Sequence, residues 1–152
     1  MHALELKVPP PAVGLTVAAA MWAIASVTPA RLALPNPGTI ATVLALVGLA
    51  FDMTGLVAFM RAKTTINPLR PGNSTALVTS GVYRITRNPM YSGMLFMLLG
   101  WAVYLDSPWA LLGPLAFVLY INRFQIVPEE RVLQELFGDQ FTRYKERVRR
   151  WL

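Results

Sequence analysis

The sequence predicts an all-α integral membrane protein, with four transmembrane helices, a cytoplasmic loop between the second and third, and a C-terminal amphipathic helix. Three observations predict it. Of 152 residues, 55% are hydrophobic and only 14% charged, whereas soluble domains carry about 25% charged residues; so few charges cannot cover a water-facing surface. The apolar residues gather into four runs close to the length of a bilayer-crossing helix, about 17–25 residues. With four alternating crossings, 13 of the 14 Lys and Arg residues fall on one side and only Arg31 on the other. That asymmetry places both termini and the long loop in the cytoplasm, here of a prokaryotic inner membrane. The whole chain, 1–152, reads as one domain.

The first run, residues 12–28, follows the stiff Pro9-Pro10-Pro11 entry. It lacks a basic leader and a small-x-small cleavage site, so it reads as a retained helix, not a signal peptide. The second run covers 38–60, the third 90–105 and the fourth 109–127. Short connections at 29–37 and 106–108 make each flanking pair an antiparallel hairpin. The connection over 61–89 is long, and loops of that kind are usually functional; Asn67-Pro68, Pro71-Gly72, Gly81 and Asn88-Pro89 punctuate it. Beyond Pro128 the pattern changes. Val132, Leu133, Leu136, Phe137, Phe141, Tyr144, Val148 and Trp151 recur at three- and four-residue steps, opposite Arg131, Glu135, Arg143, Glu146, Arg147 and Arg150. This predicts an amphipathic helix over 129–151, lying on the membrane surface or packed on a cytoplasmic loop, with Gly138 as a point where it breaks.

Composition also excludes chemistry. There is no Cys, hence no disulfide or thiol nucleophile, and the single His is at position 2, so no metal site is expected. A net charge of +6 could suit nucleic acid, but nucleic-acid binders carry their charge on a soluble surface. Here it flanks apolar runs, which fits membrane lipids.

Four groups of residues could carry chemistry. Glu129-Glu130 follows the fourth run; it either complements the dipole of the next helix or binds a cation such as an α-ammonium. Residues 75–93 hold Tyr83, Tyr91, Arg84 and Arg87, and Asn88-Pro89 forms a good helix start. This segment is either a basic anchor for anionic headgroups or a loop offering backbone groups to an adenine edge and a ring to a sulfonium. Asp52 lies midway along the second run, where a charge faces a cavity or is held protonated by hydrogen bonding. Asn122, Arg123 and Gln125 give the fourth run a polar end, from which Arg123 would snorkel to the headgroups. Gly48 with Gly55, and Gly93 with Gly100, lie seven apart and line faces suited to close helix packing.

Two motifs then stand in a recognisable order: Leu77-Val78, Gly81-x-Tyr83 and Arg87-Asn88-Pro89-x-Tyr91-x-Gly93, followed by Glu129-Glu130, Leu133, Phe137-Gly138, Phe141, Tyr144 and Val148. Together, flanking a transmembrane hairpin, they resemble the isoprenylcysteine carboxyl methyltransferases and their phospholipid N-methyltransferase relatives. The resemblance covers roughly the second half of the chain. It implies an S-adenosylmethionine-dependent methyltransferase with the cofactor on the cytoplasmic side. Cofactor contacts would fall on Thr75, Ala76, Leu77, Val78, Tyr83, Asn88, Pro89, Met90, Tyr91 and Glu129, with Glu129 and Tyr91 at the reacting centre. A lipophilic substrate would enter sideways from the bilayer. Two positions depart from the family pattern. Asn88 stands where His is usual in members acting on prenylcysteine, and Gln125 where an Arg meets the substrate carboxylate. Gln125, by that departure, and Asp52, by its place within the second run, are the positions expected to bear on the substrate. The competing readings are a non-catalytic membrane protein that binds anionic lipid through its basic loop and tail, and, by analogy of architecture, a sterol-type reductase.

Overall fold

A computed structural model describes residues 5–63 and 69–152. His2 and Asn67-Pro68 lie outside the described residues. Helix α1 spans Pro10–Val27, α2 Pro37–Ala62, α3 Pro89–Tyr104, α4 Leu112–Ile121 and α5 Val127–Arg147. The first three each open on a proline, whose missing N–H and fixed φ suit the first helical turn. Exposed threonines on α1 and α2 donate back to carbonyls four residues earlier, Thr16 to Ala12 and Thr42 to Gly38. Such back-bonding spares these hydroxyls from facing hydrocarbon alone.

Among the described residues, three helices are long and apolar enough to cross a membrane: Pro10–Val27, Pro37–Ala62 and the continuous stretch Pro108–Arg147; α3 is apolar but shorter, at 16 residues. The third stretch differs from the expectation of a span ending at 127 and a separate tail. A 3-10 turn, Pro108–Leu111, leads into α4, and a π-helical turn, Asn122–Ile126, joins α4 to α5 without interruption. Proline at a first helical position needs no break before it if the preceding turn is wide, and Pro128 sits just after that π turn. The real kink comes at Gly138, with φ +47° and ψ −123°, a conformation that costs a residue with a Cβ. Gln134 bridges the kink, donating to the Gly138 carbonyl and to Thr142.

The tightest packing is between α2 and α3. A Cβ on Gly93 would collide with the Asp52 carboxylate and lie 2.7 Å from the Gly48 carbonyl oxygen. One on Gly48 would lie 2.6 Å from the Gly93 carbonyl oxygen, and one on Gly100 2.9 Å from that of Ala41. Small residues thus let the two backbones touch, which supplies dispersion contact where lipid offers no hydrophobic drive. Helix α1 seats Met21 against Gly113, and the Trp101 indole donates to the Ala18 carbonyl at 3.1 Å.

At the polar end the chain folds over itself. The 61–89 connection contains two 3-10 turns, Pro71–Asn73 and Gly81–Arg84. Tyr83, Val78 and Ala58 form a second core with Phe141 and Tyr144 of α5, and the Tyr144 hydroxyl donates to the Tyr83 carbonyl at 2.7 Å. The amphipathic face of α5 therefore covers the loop. The helix stops at Arg147, short of the expected 151, because Val148 turns extended and residues 149–150 pair with 86–88. Arg87 N–H donates to the Arg149 carbonyl, while the Thr86 hydroxyl and the Asn88 amide both donate to that of Arg150.

Candidate functional site

Where loop, α3 and α5 meet, they enclose a cavity of about 410 Å³. The adjacent carboxylates Glu129 and Glu130 open the first turn of α5, about 100° apart around the helix, and so meet different partners. Glu129 borders the cavity and accepts a 3.1 Å hydrogen bond from the Tyr91 hydroxyl. It makes no ion pair among the described residues. It lies beyond the apolar part of the long helix. Burial pushes its carboxyl up to about 7; the Tyr91 hydrogen bond opposes this and Glu130 adds to it. The site thus holds one buried carboxyl group with no ion-pair partner among the described residues, in a mostly apolar lining that also includes Arg87, Asn88 and Glu130.

Glu130 serves differently. It accepts from Arg87 at 2.8 Å and from Arg150 at 2.6 and 3.1 Å. Burial works to raise its carboxyl, but the hydrogen bonds and charges of Arg150 and Arg87 outweigh that and hold it below the ordinary value. Arg87 also donates to the carbonyls of Val148 and Lys145, closing the end of α5 over the site. Burial pushes the phenols of Tyr83 and Tyr144 upward, so both stay neutral hydrogen-bonding groups.

Eight of the ten residues expected to contact the cofactor line this cavity: Ala76, Leu77, Val78, Tyr83, Asn88, Met90, Tyr91 and Glu129. Thr75 and Pro89 do not. Pro89 is buried under α2, where it borders Gly55. Asp52 is also elsewhere, wedged at the α2–α3 seam against Gly93, with one carboxylate oxygen buried and unpartnered. Gln125 is fully buried, but its amide turns away from the cavity lining and donates to the Val8 carbonyl at 2.7 Å. Arg123 does not simply snorkel; it pairs with Glu5 at 3.1 Å. Walls that the sequence motifs do not include are Pro9, Pro10, Pro11, Phe59, Met94 and Ile126, among others. The triple proline had been visible as a stiff entry, but nothing in its composition said what it would face.

With this geometry in hand, comparison with known proteins is informative. A phospholipid methyltransferase family model matches residues 34–140. An uncharacterized protein of Haemophilus influenzae is 49% identical over 63 residues, 41% of this chain and 100% of that one. Protein-S-isoprenylcysteine O-methyltransferase B of Arabidopsis thaliana is 36% identical over 98 residues, covering 62% of this chain and 48% of that protein. Protein-S-isoprenylcysteine O-methyltransferase of Xenopus laevis is 33% identical over 117 residues, 70% of this chain and 40% of that one. The chain thus spans about half the length of the named methyltransferases it matches. Since the family match takes in both the loop and the first half of α5, the chain belongs to the phospholipid methyltransferase family.

Proposed function

We propose that this protein transfers a methyl group from S-adenosylmethionine to a lipophilic acceptor, with α3 as a fourth crossing and the cavity at the cytosolic face. The observation that carries this reading is Glu129, a carboxyl group beside Tyr91 that forms no ion pair among the described residues, in a cavity whose other carboxylate, Glu130, is taken up by Arg87 and Arg150. Such a group suits the α-ammonium of an amino-acid cofactor. The volume lies within the range of small-molecule sites, about 300–1,000 Å³, and the faces of Tyr83 and Tyr91 suit a sulfonium. Family membership and the isoprenylcysteine O-methyltransferase relatives support the same reaction class; nothing favours a non-catalytic lipid binder.

The cofactor, when bound, supplies a methyl group already activated on sulfur. This chain's residues then supply position and dryness. Glu129 would hold the ammonium, with Tyr91 fixing its rotamer. Ala76, Leu77 and Val78, with Tyr83, Asn88 and Met90, would flank the adenosyl part. Leu133 and Phe141 of α5, which line the cavity, would shield the reacting centre from water. Calorimetry of purified protein with S-adenosylhomocysteine tests the reading. Binding that is lost in Glu129→Gln is expected; no binding of either cofactor form to folded wild-type protein would overturn it.

A further inference from the structure

The segment before α1 is held down at three points, all on or just after the π-helical turn. Glu5, whose side chain is 5% exposed, pairs with Arg123 at 3.1 Å and with Arg131 at 3.6 Å. The Leu6 N–H donates to the Phe124 carbonyl at 3.0 Å. The Gln125 amide donates to the Val8 carbonyl at 2.7 Å. The next three residues, Pro9, Pro10 and Pro11, are a wall of the cavity. Prolines carry no N–H, so the run cannot anchor itself by donating hydrogen bonds. Pro10 and Pro11 begin α1 and the Pro9 carbonyl accepts from the Ala12 and Val13 N–H groups, so this wall is fixed by α1 on one side and by the clamps on the other.

The cavity has two ends. Met94 is three residues further along α3 than Tyr91, and Ile126 three residues earlier on the long helix than Glu129. Both therefore sit about 4.5 Å deeper toward the apolar part of their helices. With the prolines they make an end that is wholly apolar, and Met94 reaches across to Gly14 of α1. On the four-crossing reading, a molecule arriving from the bilayer would meet this end first.

We propose that Gln125 is a positioning residue for the methyl acceptor: by holding Val8 it fixes the proline wall against Met94 and Ile126, which together form a subsite for an aliphatic or prenyl-like chain. The π turn explains why a glutamine can do this. An extra residue per turn rotates the side chains of 122–126 relative to a regular α-helix, and the Gln125 amide meets the segment before α1 and not the cavity. The occupant of the subsite rests on the methyltransferase reading; the clamp and its effect on the wall do not.

The native chain has no cysteine, so Met94→Cys places a single reporter thiol at the apolar end. Its reaction with N-ethylmaleimide, in protein reconstituted in nanodiscs, measures how often the wall opens. Adding Gln125→Ala is expected to speed labelling about tenfold, the effect of removing one buried hydrogen bond from a local opening. Glu5→Gln, which loosens the same segment from outside the cavity, should act in the same direction. Neither change should shift the affinity for S-adenosylhomocysteine by more than about twofold. Unchanged labelling in both variants, or a parallel loss of S-adenosylhomocysteine affinity in Gln125→Ala, would overturn the assignment. If wild-type protein bound no S-adenosylhomocysteine while the labelling rates still rose, the clamp would stand and the methyltransferase reading would fall.

Discussion

Replacing Glu129 by glutamine removes charge and little else, because the amide is nearly isosteric and can still meet the Tyr91 hydroxyl at its 3.1 Å distance. The expected loss comes from the cofactor's ammonium, which would be left in a mostly apolar cavity whose remaining carboxylate, Glu130, is already paired with Arg87 and Arg150. Truncating one partner of a buried, hydrogen-bonded charge pair costs about 2–5 kcal/mol, so the dissociation constant for S-adenosylhomocysteine should rise at least about thirtyfold. The pH dependence sharpens the test. With a carboxyl that titrates at about 7 in the empty protein, half the sites are protonated at pH 7 and roughly ten in eleven at pH 6. Wild-type affinity should therefore fall about five- to sixfold from pH 7 to pH 6, while the glutamine variant stays flat. The sign for stability is opposite. The folded carboxyl titrates above its ordinary value of 4.5, so its contribution is fully favourable below that value and is lost as pH rises through about 7. Glu129→Gln should thus melt higher than wild type in empty protein at neutral pH. Isothermal calorimetry at the two pH values, with thermal unfolding of the same samples, reads all three effects. An S-adenosylhomocysteine affinity within about threefold of wild type, or an equal pH slope in both proteins, would refute the role given to this carboxylate.

Other changes separate site from scaffold. Glu130→Gln leaves Arg87 and Arg150 sharing no negative partner; because Arg150 is 37% exposed the cost should be modest, about 2 kcal/mol, seen as a lower melting temperature and faster proteolysis near Arg149. A normal melt would show that the Arg–Glu cluster does not hold this end of the chain. Gly93→Ala forces α3 off Asp52 and Gly48 and should cost about 1–3 kcal/mol; Gly38→Ala, where the added carbon meets nothing within 4 Å, should be neutral or slightly stabilising. Equal melting of the two variants would contradict the close α2–α3 approach. Gly138→Ala puts a Cβ on a residue at φ +47° and should lower stability by about 1–2 kcal/mol, an effect checked by the same thermal scan.

The apolar runs and their proline starts were legible in the sequence because each is a local signal. Pro10, Pro37 and Pro89 mark helix openings without reference to anything distant. The glycines of α2 and α3 were legible as a packing face for the same reason. What was illegible depends on partners far along the chain. Glu129 and Glu130 look alike in sequence, yet one meets Tyr91, 38 residues away, and the other Arg87, 43 away. Gln125 was read toward a substrate from the resemblance, but the π turn, which leaves no compositional mark, turns it to Val8. Asp52 was recognised as an unusual charge in an apolar run, and its partner proved to be a seam between helices. The extended end of the chain read as helix because Val148 and Trp151 continue the apolar period; the hydrogen bonds to 86–88 outcompeted it.

The bond from Gln125 to Val8 spans 117 residues of chain, which bears on how the molecule comes into being. Contacts between α2 and α3 need only the connection between them to close, whereas the proline wall must wait until the last long helix exists. Contacts of such separation form late, since the entropy of closing the loop is lost before they can repay it. During synthesis the α2–α3 pair can therefore be in place while the cavity still lacks its α5 wall, and a chain halted before Gln125 would carry α1 to α4 but neither Glu129 nor the clamp on Val8.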